Sequence, residues 1–189
     1  MEENNRQEET YKDIRIIYHV KENGIAVYVY RKNARRPSVS FFKTGEVESA
    51  ARKYIDYVKG QADARYQRKT DRIERNRKAR EQFVNPYTVD QIVYDSWGYD
   101  QTNIDWYQIV KIGPRSVTLR PIAGQIVEAT GSMSGQTIPD PDHFTGDPIT
   151  KTIQVYMGSD DNIHHYIPSK HGSIGVWKEG EKMYCSWYA

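Results

Sequence analysis

The pattern of hydrophobic and polar positions divides the chain into three parts. The first part contains three short stretches in which β-branched or aromatic residues alternate with polar ones: 14–20, 25–32 and 38–43. Asn23-Gly24 separates the first two stretches and is a favoured pair for a tight hairpin. A helix start follows, with Thr44 as its N-cap and Glu46 in its first turn. We therefore predict a small antiparallel sheet with a helix packed on it, over residues 1–60.

The second part continues that helix. Apolar residues recur every three or four positions from Val47 to Ala62, as on the buried side of a helix. Beyond Gly60 the apolar positions become rare, although strong helix formers still dominate. A single helix over 45–83 would be about 58 Å long at 1.5 Å per residue. Three arrangements are open: a projecting helix, a helix kinked near Gly60, or a flexible basic second half. We predict that residues 61–85 form a basic helical linker.

The third part, residues 86–189, has the pattern of short strands throughout. The predicted strands are 90–97, 105–112, 116–122, 150–157, 164–169, 173–180 and 182–189. Residues 128–148 are rich in Gly, Pro, Asp and Ser and predict a loop or excursion. Short strands at this spacing favour a small half-open barrel. The predicted fold class is therefore α+β: a small N-terminal antiparallel sheet, a long basic helix, and an SH3-like β-barrel-type C-terminal half.

Composition adds an uneven distribution of charge. The 189 residues carry a net charge of only +2, but residues 51–82 contain 11 Lys or Arg against 5 Asp or Glu, whereas residues 83–189 contain 7 against 12. Any contact with nucleic acid is therefore expected in the middle of the chain. The mean hydropathy of −0.82 predicts a soluble protein that does not contact the membrane. A single cysteine and a polar, acidic N-terminus predict a reducing cytoplasm and no signal peptide.

Basic residues of the predicted helix form the first candidate binding surface. They recur at i, i+3, i+4 and i+7, which places them on one side of a helix, and Arg-rich faces bind phosphates. Three interpretations are open: a solvated face held by pairs such as Asp71–Arg75, direct phosphate contact, or docking on an acidic protein surface. The candidate residues for binding nucleic acid or a partner are Arg65, Arg68, Lys69, Arg72, Arg75 and Lys78.

The stretch YDSWGYDQTN, residues 94–103, forms the second candidate surface. Gly98 is expected to end a strand and begin a loop. The aromatic residues could close one mouth of the barrel, or they could form a recognition loop in which rings stack on bases and amides bind adenine edges or protein backbone. A catalytic loop is the third interpretation. The candidate binding residues here are Trp97, Tyr99, Asp100, Gln101, Asn103 and Trp106.

Residues suited to catalysis or metal binding are sparse. Two groups of His and Asp, around His143 and His164, match no familiar spacing of metal ligands. Cys185 lies in an aromatic stretch and is expected to be a buried, inert thiol. The sequence contains neither a phosphate-binding loop nor a nucleophile motif. We therefore predict that the protein is not an enzyme and that it has no catalytic residue, no metal site and no cofactor.

Three strings, SWGYDQTNIDWYQIVKI, SVTLRPI and VWKEGEKMYCSWYA, resemble a family of small accessory proteins of phages, plasmids and their bacterial hosts. The resemblance is densest over 86–122 and 149–189. Mobile-element proteins of this kind include inhibitors of host defence, and an anti-CRISPR inhibitor of Cas9 is similar to this sequence. The resemblance implies a cytoplasmic protein of the bacterial host cell. It also implies that the protein binds a Cas9–guide RNA complex and blocks target DNA engagement or cleavage.

The basic helix supports a second function class. In this alternative, the protein is a general nucleic-acid-binding accessory protein of a mobile element, and residues 65–80 contact the phosphates. Salt-sensitive binding to nucleic acid would distinguish it from an inhibitor that recognises one protein complex.

Overall fold

The computed structural model describes residues 6–43 and 47–187. The chain forms two compact units, unit 1 up to Glu74 and unit 2 from Arg75. The sequence analysis instead placed boundaries after residues 60 and 85. Thr44 and Glu46, the predicted start of the helix, lie outside the described residues. In the described ranges, no helix combines the length and the apolar character that crossing a membrane requires.

Unit 1 contains a four-stranded antiparallel sheet, and most of helix α1 (Val47–Gln82) packs on it. The strands lie in chain order: β1 (Arg6–Tyr11), β2 (Ile14–Lys21), β3 (Gly24–Arg31) and β4 (Ser38–Lys43). Ile14, Ile16 and Val27 of the sheet form the core with Ala51 and Ala62 of the helix. The three predicted strands are confirmed. The sequence analysis missed β1 because its residues, RQEETY, are almost all polar.

Helix α1 is continuous from Val47 to Gln82 and passes through Gly60. A side chain at Gly60 would meet no atom within 4 Å, so this glycine is not required for close packing. Ala62 is fully buried in the core of unit 1, and Ala79 is fully buried in the core of unit 2. The second half of the helix is therefore an ordered element, and the alternative of a flexible second half does not fit a helix that continues to Gln82. Beyond Gly60, the buried alanines Ala62 and Ala79 supply packing contacts where larger apolar residues are rare.

Unit 2 is an antiparallel β structure. Its strands are β5 (Ile92–Trp97), β6 (Asn103–Gly113), β7 (Ser116–Gly131), β8 (Ser134–Phe144), β9 (Ile149–Thr152), β10 (Gln154–Met157), β11 (Ile163–Pro168), β12 (Ser173–Val176) and β13 (Met183–Ser186). The described strands form one sheet in the order β10-β11-β12-β5-β6-β7-β8-β13, with β9 paired to β7. The α+β class is confirmed, but β10 and β13 at the two ends of this order do not pair with each other. An SH3-like barrel is therefore not supported.

The region 128–148 explains this difference. The sequence analysis expected a loop there, whereas the residues form the end of β7 and the whole of β8, which pair with three shifts of register. Gly and Pro occupy these strands because such bulged ladders tolerate residues that regular strands exclude. The long hairpin adds β8 and then β13 beyond β7, and the sheet extends outwards instead of closing.

Both faces of this sheet bury apolar side chains, because successive residues of a strand point to opposite faces. Val93 and Ile109 lie in the larger core, whereas Ile92 and Trp106, an odd number of positions away on the same strands, lie in a smaller core on the other face. Asp95 is two residues after Val93 on β5, so its side chain projects from the same face, that of the larger core.

Candidate functional site

A groove rich in basic residues lies at one end of unit 1, and we call it the basic groove. The β1–β2 turn and the β3–β4 loop form it, and the amide of Lys32 donates a 2.9 Å hydrogen bond to the carbonyl of Asp13 between them. The groove has a volume of about 330 Å³. Its charged lining residues are Lys12, Asp13, Arg15, Arg31 and Lys32. Four cations thus surround one carboxylate.

That carboxylate is already bound within the protein. The guanidinium of Arg65 on α1 donates a 3.3 Å hydrogen bond to Asp13 Oδ1. This contact is the main cause of the lowered pKa of Asp13, so the group is ionised at neutral pH. Because Arg65 neutralises Asp13, the groove presents a net positive charge to the solvent.

A second contact joins the same turn to the helix. The ammonium group of Lys12 contacts the Asp63 carboxylate, and the Tyr11 hydroxyl donates a 2.9 Å hydrogen bond to Asp63 Oδ1. The hydrogen bonds from Lys12 and then from Tyr11 lower the pKa of Asp63, and the same contact with Asp63 raises the pKa of Lys12. Lys12 also lies 4.9 Å from the ring centroid of Tyr66. These contacts fix the turn against the helix, beside the basic residues that follow Arg65.

An aromatic ring lies within the groove. The Arg15 guanidinium carbon is 4.6 Å from the centroid of the Tyr30 ring, at cation–π distance. Arg15 also forms an ion pair of 3.7 Å with Glu8 on the neighbouring strand. The side chains of Arg15 and Tyr30 are therefore held in place before any ligand binds.

The predicted basic helix residues divide into two groups. Arg68, Lys69 and Arg72 are exposed, belong to unit 1, and form no hydrogen bond or ion pair with other described residues. At 3.6 residues per turn they fall with Arg65 within an arc of about 100°. They therefore lie on the helix turns next to the basic groove. Arg65 itself has a structural role as the partner of Asp13.

Arg75 and Lys78 belong to unit 2. The Arg75 guanidinium donates hydrogen bonds of 2.6 Å to the Gly158 carbonyl and to Asp161 Oδ1. The pairing that the sequence suggested for Arg75, with Asp71, is replaced, since Asp71 accepts a hydrogen bond from Gln67. Arg75 is therefore engaged within unit 2, whereas Lys78 is exposed.

The aromatic residues of the second candidate surface occupy different environments. Trp97 Nε1 donates a 2.7 Å hydrogen bond to Asp105 Oδ2, and its ring stacks on His171 at 4.6 Å. Tyr99 is fully exposed at the tip of the β5–β6 hairpin, whereas Trp106 is only 3% exposed. Trp106 Nε1 donates to Thr137 Oγ1 at 3.3 Å inside the smaller core. Trp106 is therefore not available to contact a partner.

The polar residues of this stretch mainly hold the hairpin. Gln101 Nε2 donates a 3.0 Å hydrogen bond to Asn103 Oδ1. The amide of Thr102 donates to Ser186 Oγ at 2.9 Å, and the amide of Ser186 donates to the Thr102 carbonyl at 2.9 Å, which attaches the loop to β13. Asp100 is exposed. Of the predicted residues here, only Tyr99 and Asp100 are freely accessible, and a role for them in recognition stays a prediction.

Sequence reasoning missed the residues of the basic groove. The signal was the run RKNARR at 31–36, whose first two residues were assigned to the predicted strand 25–32 and whose charge was not considered as a site. Acidic residues elsewhere in the first 50 positions nearly cancel the positive charge of this run, so the net charge of residues 1–50 does not reveal it. The strand pairing then places this run beside Lys12, which is distant in sequence.

The chain matches no protein-family model, no curated protein and no solved structure. The resemblance to mobile-element proteins therefore stays a prediction.

Proposed function

We propose that unit 1 binds the phosphate backbone of duplex nucleic acid at the basic groove and the adjoining turns of α1. The observation that carries the proposal is a concave surface lined by four cations, of which Arg31 and Lys32 form no ion pair with a described residue, and whose one carboxylate is bound by Arg65. Phosphates are recognised in this way, by several Lys and Arg side chains held at fixed positions.

Exposed cations extend this surface on both sides. Arg35 and Arg36 of the β3–β4 loop are exposed, as are Arg68, Lys69 and Arg72 of the helix. Unit 1 as a whole carries 16 Lys or Arg against 12 Asp or Glu, whereas unit 2 carries 11 against 13. Contacts of Lys and Arg with phosphates carry no sequence information, so the proposed binding is general and not specific to one site.

The test is fluorescence anisotropy of a labelled DNA duplex titrated with the full chain across a salt series. Each cation that neutralises a phosphate contributes about −0.9 to the slope of log K against log salt, so five contacts predict a slope of about −4 to −5. The double variant Arg31→Glu/Lys32→Glu should weaken binding by more than about tenfold and reduce the magnitude of the slope by about 2.

A matched control separates a local site from net charge. Lys111→Glu/Lys178→Glu makes the same change of charge at exposed positions of unit 2. This control should leave the affinity close to that of the wild type. Equal weakening by both double variants would mean that overall charge, and not the basic groove, causes the binding.

Inhibition of a Cas9 complex stays a prediction from the resemblance alone. Guide-directed cleavage of a plasmid, with excess unrelated carrier DNA, tests it separately. Inhibition that persists with carrier DNA would support a specific complex as the target. Inhibition that carrier DNA removes would support general binding of DNA through unit 1.

A further inference from the structure

A pocket of about 220 Å³ lies at one end of the larger core of unit 2. Its apolar lining consists of Leu119, Ile149 and Ile174. Its polar and charged lining includes Asp95, Asp105, Tyr107, Lys151 and Lys170. At about 30 Å³ per water molecule, this space is equivalent to about seven waters, which suits a small organic molecule.

Two carboxylates face this pocket from neighbouring strands. Asp95 and Asp105 are direct partners in the β5–β6 register, so their side chains project from the same face of the sheet. Asp105 accepts the hydrogen bond of Trp97. Asp95 is 5% exposed, and its carboxylate has no hydrogen bond or ion pair with any described residue. Like charges directly opposite each other destabilise a sheet, and the Asp95 oxygens are not among the described buried atoms that lack a partner, so the carboxylate is open to the pocket.

The other polar groups of the pocket do not relieve this cost. Burial, and then the charges of Asp105 and Asp95, raise the pKa of Tyr107, so its hydroxyl stays protonated and can donate a hydrogen bond. Lys151 and Lys170 line the same pocket without an ion pair to a described carboxylate. The pocket therefore contains both signs of charge, and no ion pair within it joins them.

The charges of the lining select the class of ligand. Within the described parts of the chain, no three His, Cys, Asp or Glu side chains come together as metal ligands, and Asp95 and Asp105 are only two. Lysines would repel a purely cationic ligand, and the two carboxylates would repel a purely anionic one. We infer that this pocket binds a small zwitterion: an α-amino acid with its ammonium group at Asp95, its carboxylate at Lys151 and Lys170, and an apolar side chain on the Leu119 side.

The rim of the pocket is already ordered for such a ligand. His171, which lines the pocket, stacks on Trp97, and the His171 amide donates a 3.1 Å hydrogen bond to Ser169 Oγ. These contacts fix the β11–β12 loop that carries Lys170. A preformed pocket avoids part of the entropy cost of ordering its residues when the ligand binds.

The test is an NMR titration of the ¹⁵N-labelled full chain with L-valine and L-leucine. Two analogues of leucine serve as controls: 3-methylbutylamine, which lacks the carboxylate, and 4-methylpentanoate, which lacks the ammonium group. We expect saturable shifts of the amides of Tyr107, Ser169 and His171 with the amino acids, and affinities at least about tenfold weaker for both analogues. An absence of saturable shifts with both amino acids, or equal binding of either analogue, would overturn the inference.

Variants then test the named charges. Asp95→Asn should weaken binding of leucine by about tenfold or more, because a charge-assisted hydrogen bond is lost. It should also raise the melting temperature of the ligand-free protein, because one of two like charges that face each other across β5 and β6 is removed. Asp147→Asn, at an exposed carboxylate, should change neither property. Unchanged affinity in Asp95→Asn would overturn the role of Asp95. If that variant does not fold, Lys170→Gln provides the test. It should weaken the binding of leucine but not the binding of 3-methylbutylamine, which lacks the carboxylate. Equal weakening of both ligands would overturn the inference.

Discussion

Trp97 and Asp105 are joined across the β5–β6 hairpin by a 2.7 Å hydrogen bond from the indole nitrogen to the carboxylate. The same indole ring is parallel to His171 within 11°. One side chain thus connects a strand end, a carboxylate and a distant loop. Trp97 therefore has a structural role, and its role in contacting a partner stays a prediction.

Replacing Trp97 with phenylalanine tests this role. Trp97→Phe keeps a ring for His171 and removes the donor to Asp105, so we expect a loss of about 0.5–1.5 kcal/mol in the free energy of unfolding of unit 2. All four tryptophans lie in unit 2, so the fluorescence of the other three follows its unfolding in urea. Trp187→Phe, at a partly exposed position, is the matched control. Equal losses in both variants would contradict a specific bond to Asp105.

Replacing the other two aromatic residues of the second candidate surface, Trp106 and Tyr99, should have very different effects on stability. Trp106→Ala removes a buried ring from the smaller core and should cost about 3–5 kcal/mol in the free energy of unfolding. Tyr99→Ala changes a fully exposed side chain and should stay within about 0.5 kcal/mol of the wild type. Urea denaturation measures both. A large loss of stability from Tyr99→Ala would mean that the hairpin tip packs against the protein.

Two glycines offer a matched comparison of backbone effects. Gly98 has a φ of +125°, and a Cβ there would lie 1.8 Å from the Gln101 carbonyl oxygen, so Gly98→Ala should destabilise unit 2 by about 1–3 kcal/mol. Gly60 is exposed within α1 with no atom near its Cβ position, so Gly60→Ala should stabilise the helix by about 0.5–1 kcal/mol. Far-UV circular dichroism during thermal unfolding follows both. Destabilisation by Gly60→Ala would indicate that the helix needs its glycine.

Substitutions of Arg75 and Arg68 should distinguish a structural role from a role in binding DNA. Arg75→Ala removes the contacts to Gly158 and Asp161 and should lower the stability of unit 2 by at most about 1 kcal/mol, because the pair is exposed. It should leave the salt dependence of DNA binding unchanged. Arg68→Ala should do the opposite and reduce the magnitude of the salt slope by about 1. The salt series of the anisotropy titration distinguishes the two, and a reduced slope for Arg75→Ala would restore Arg75 to the binding surface.

Acid should weaken unit 1 through Asp63. Its hydrogen bonds from Lys12 and Tyr11 lower the pKa of Asp63 below the ordinary 3.8. A carboxyl group whose pKa is lowered by folding stabilises the fold at pH values above the pKa that it has in the unfolded chain. This stabilisation is lost as the pH falls through the lower pKa of the folded state. Asp63→Asn should therefore be less stable than the wild type at neutral pH, and its stability should fall less steeply below pH 4 or so. Helix circular dichroism at successive pH values measures this. Glu22→Gln, in an exposed turn, should keep the acid dependence of the wild type.

Local patterns in the sequence determined much of the fold. Alternation of apolar residues and the Asn23-Gly24 turn predicted β2 to β4, and helix-forming residues predicted α1, since these features depend on neighbours within a few positions. The same reasoning missed β1 and β8, because a polar edge strand and a bulged strand are stabilised mainly by the strands beside them.

Tertiary structure alone decided which side chains meet. The sequence presented Trp97, Tyr99 and Trp106 as equivalent, but sheet packing buries one, exposes another and bonds the third to Asp105. It also brought Lys12 beside the loop at 31–36, paired Arg75 with Asp161, and placed the carboxylate of Asp95 directly opposite that of Asp105. Each outcome depends on contacts between residues far apart in the chain. A periodic pattern gives the face of a strand or helix on which a residue lies, whereas only the packed fold determines what lies opposite that face.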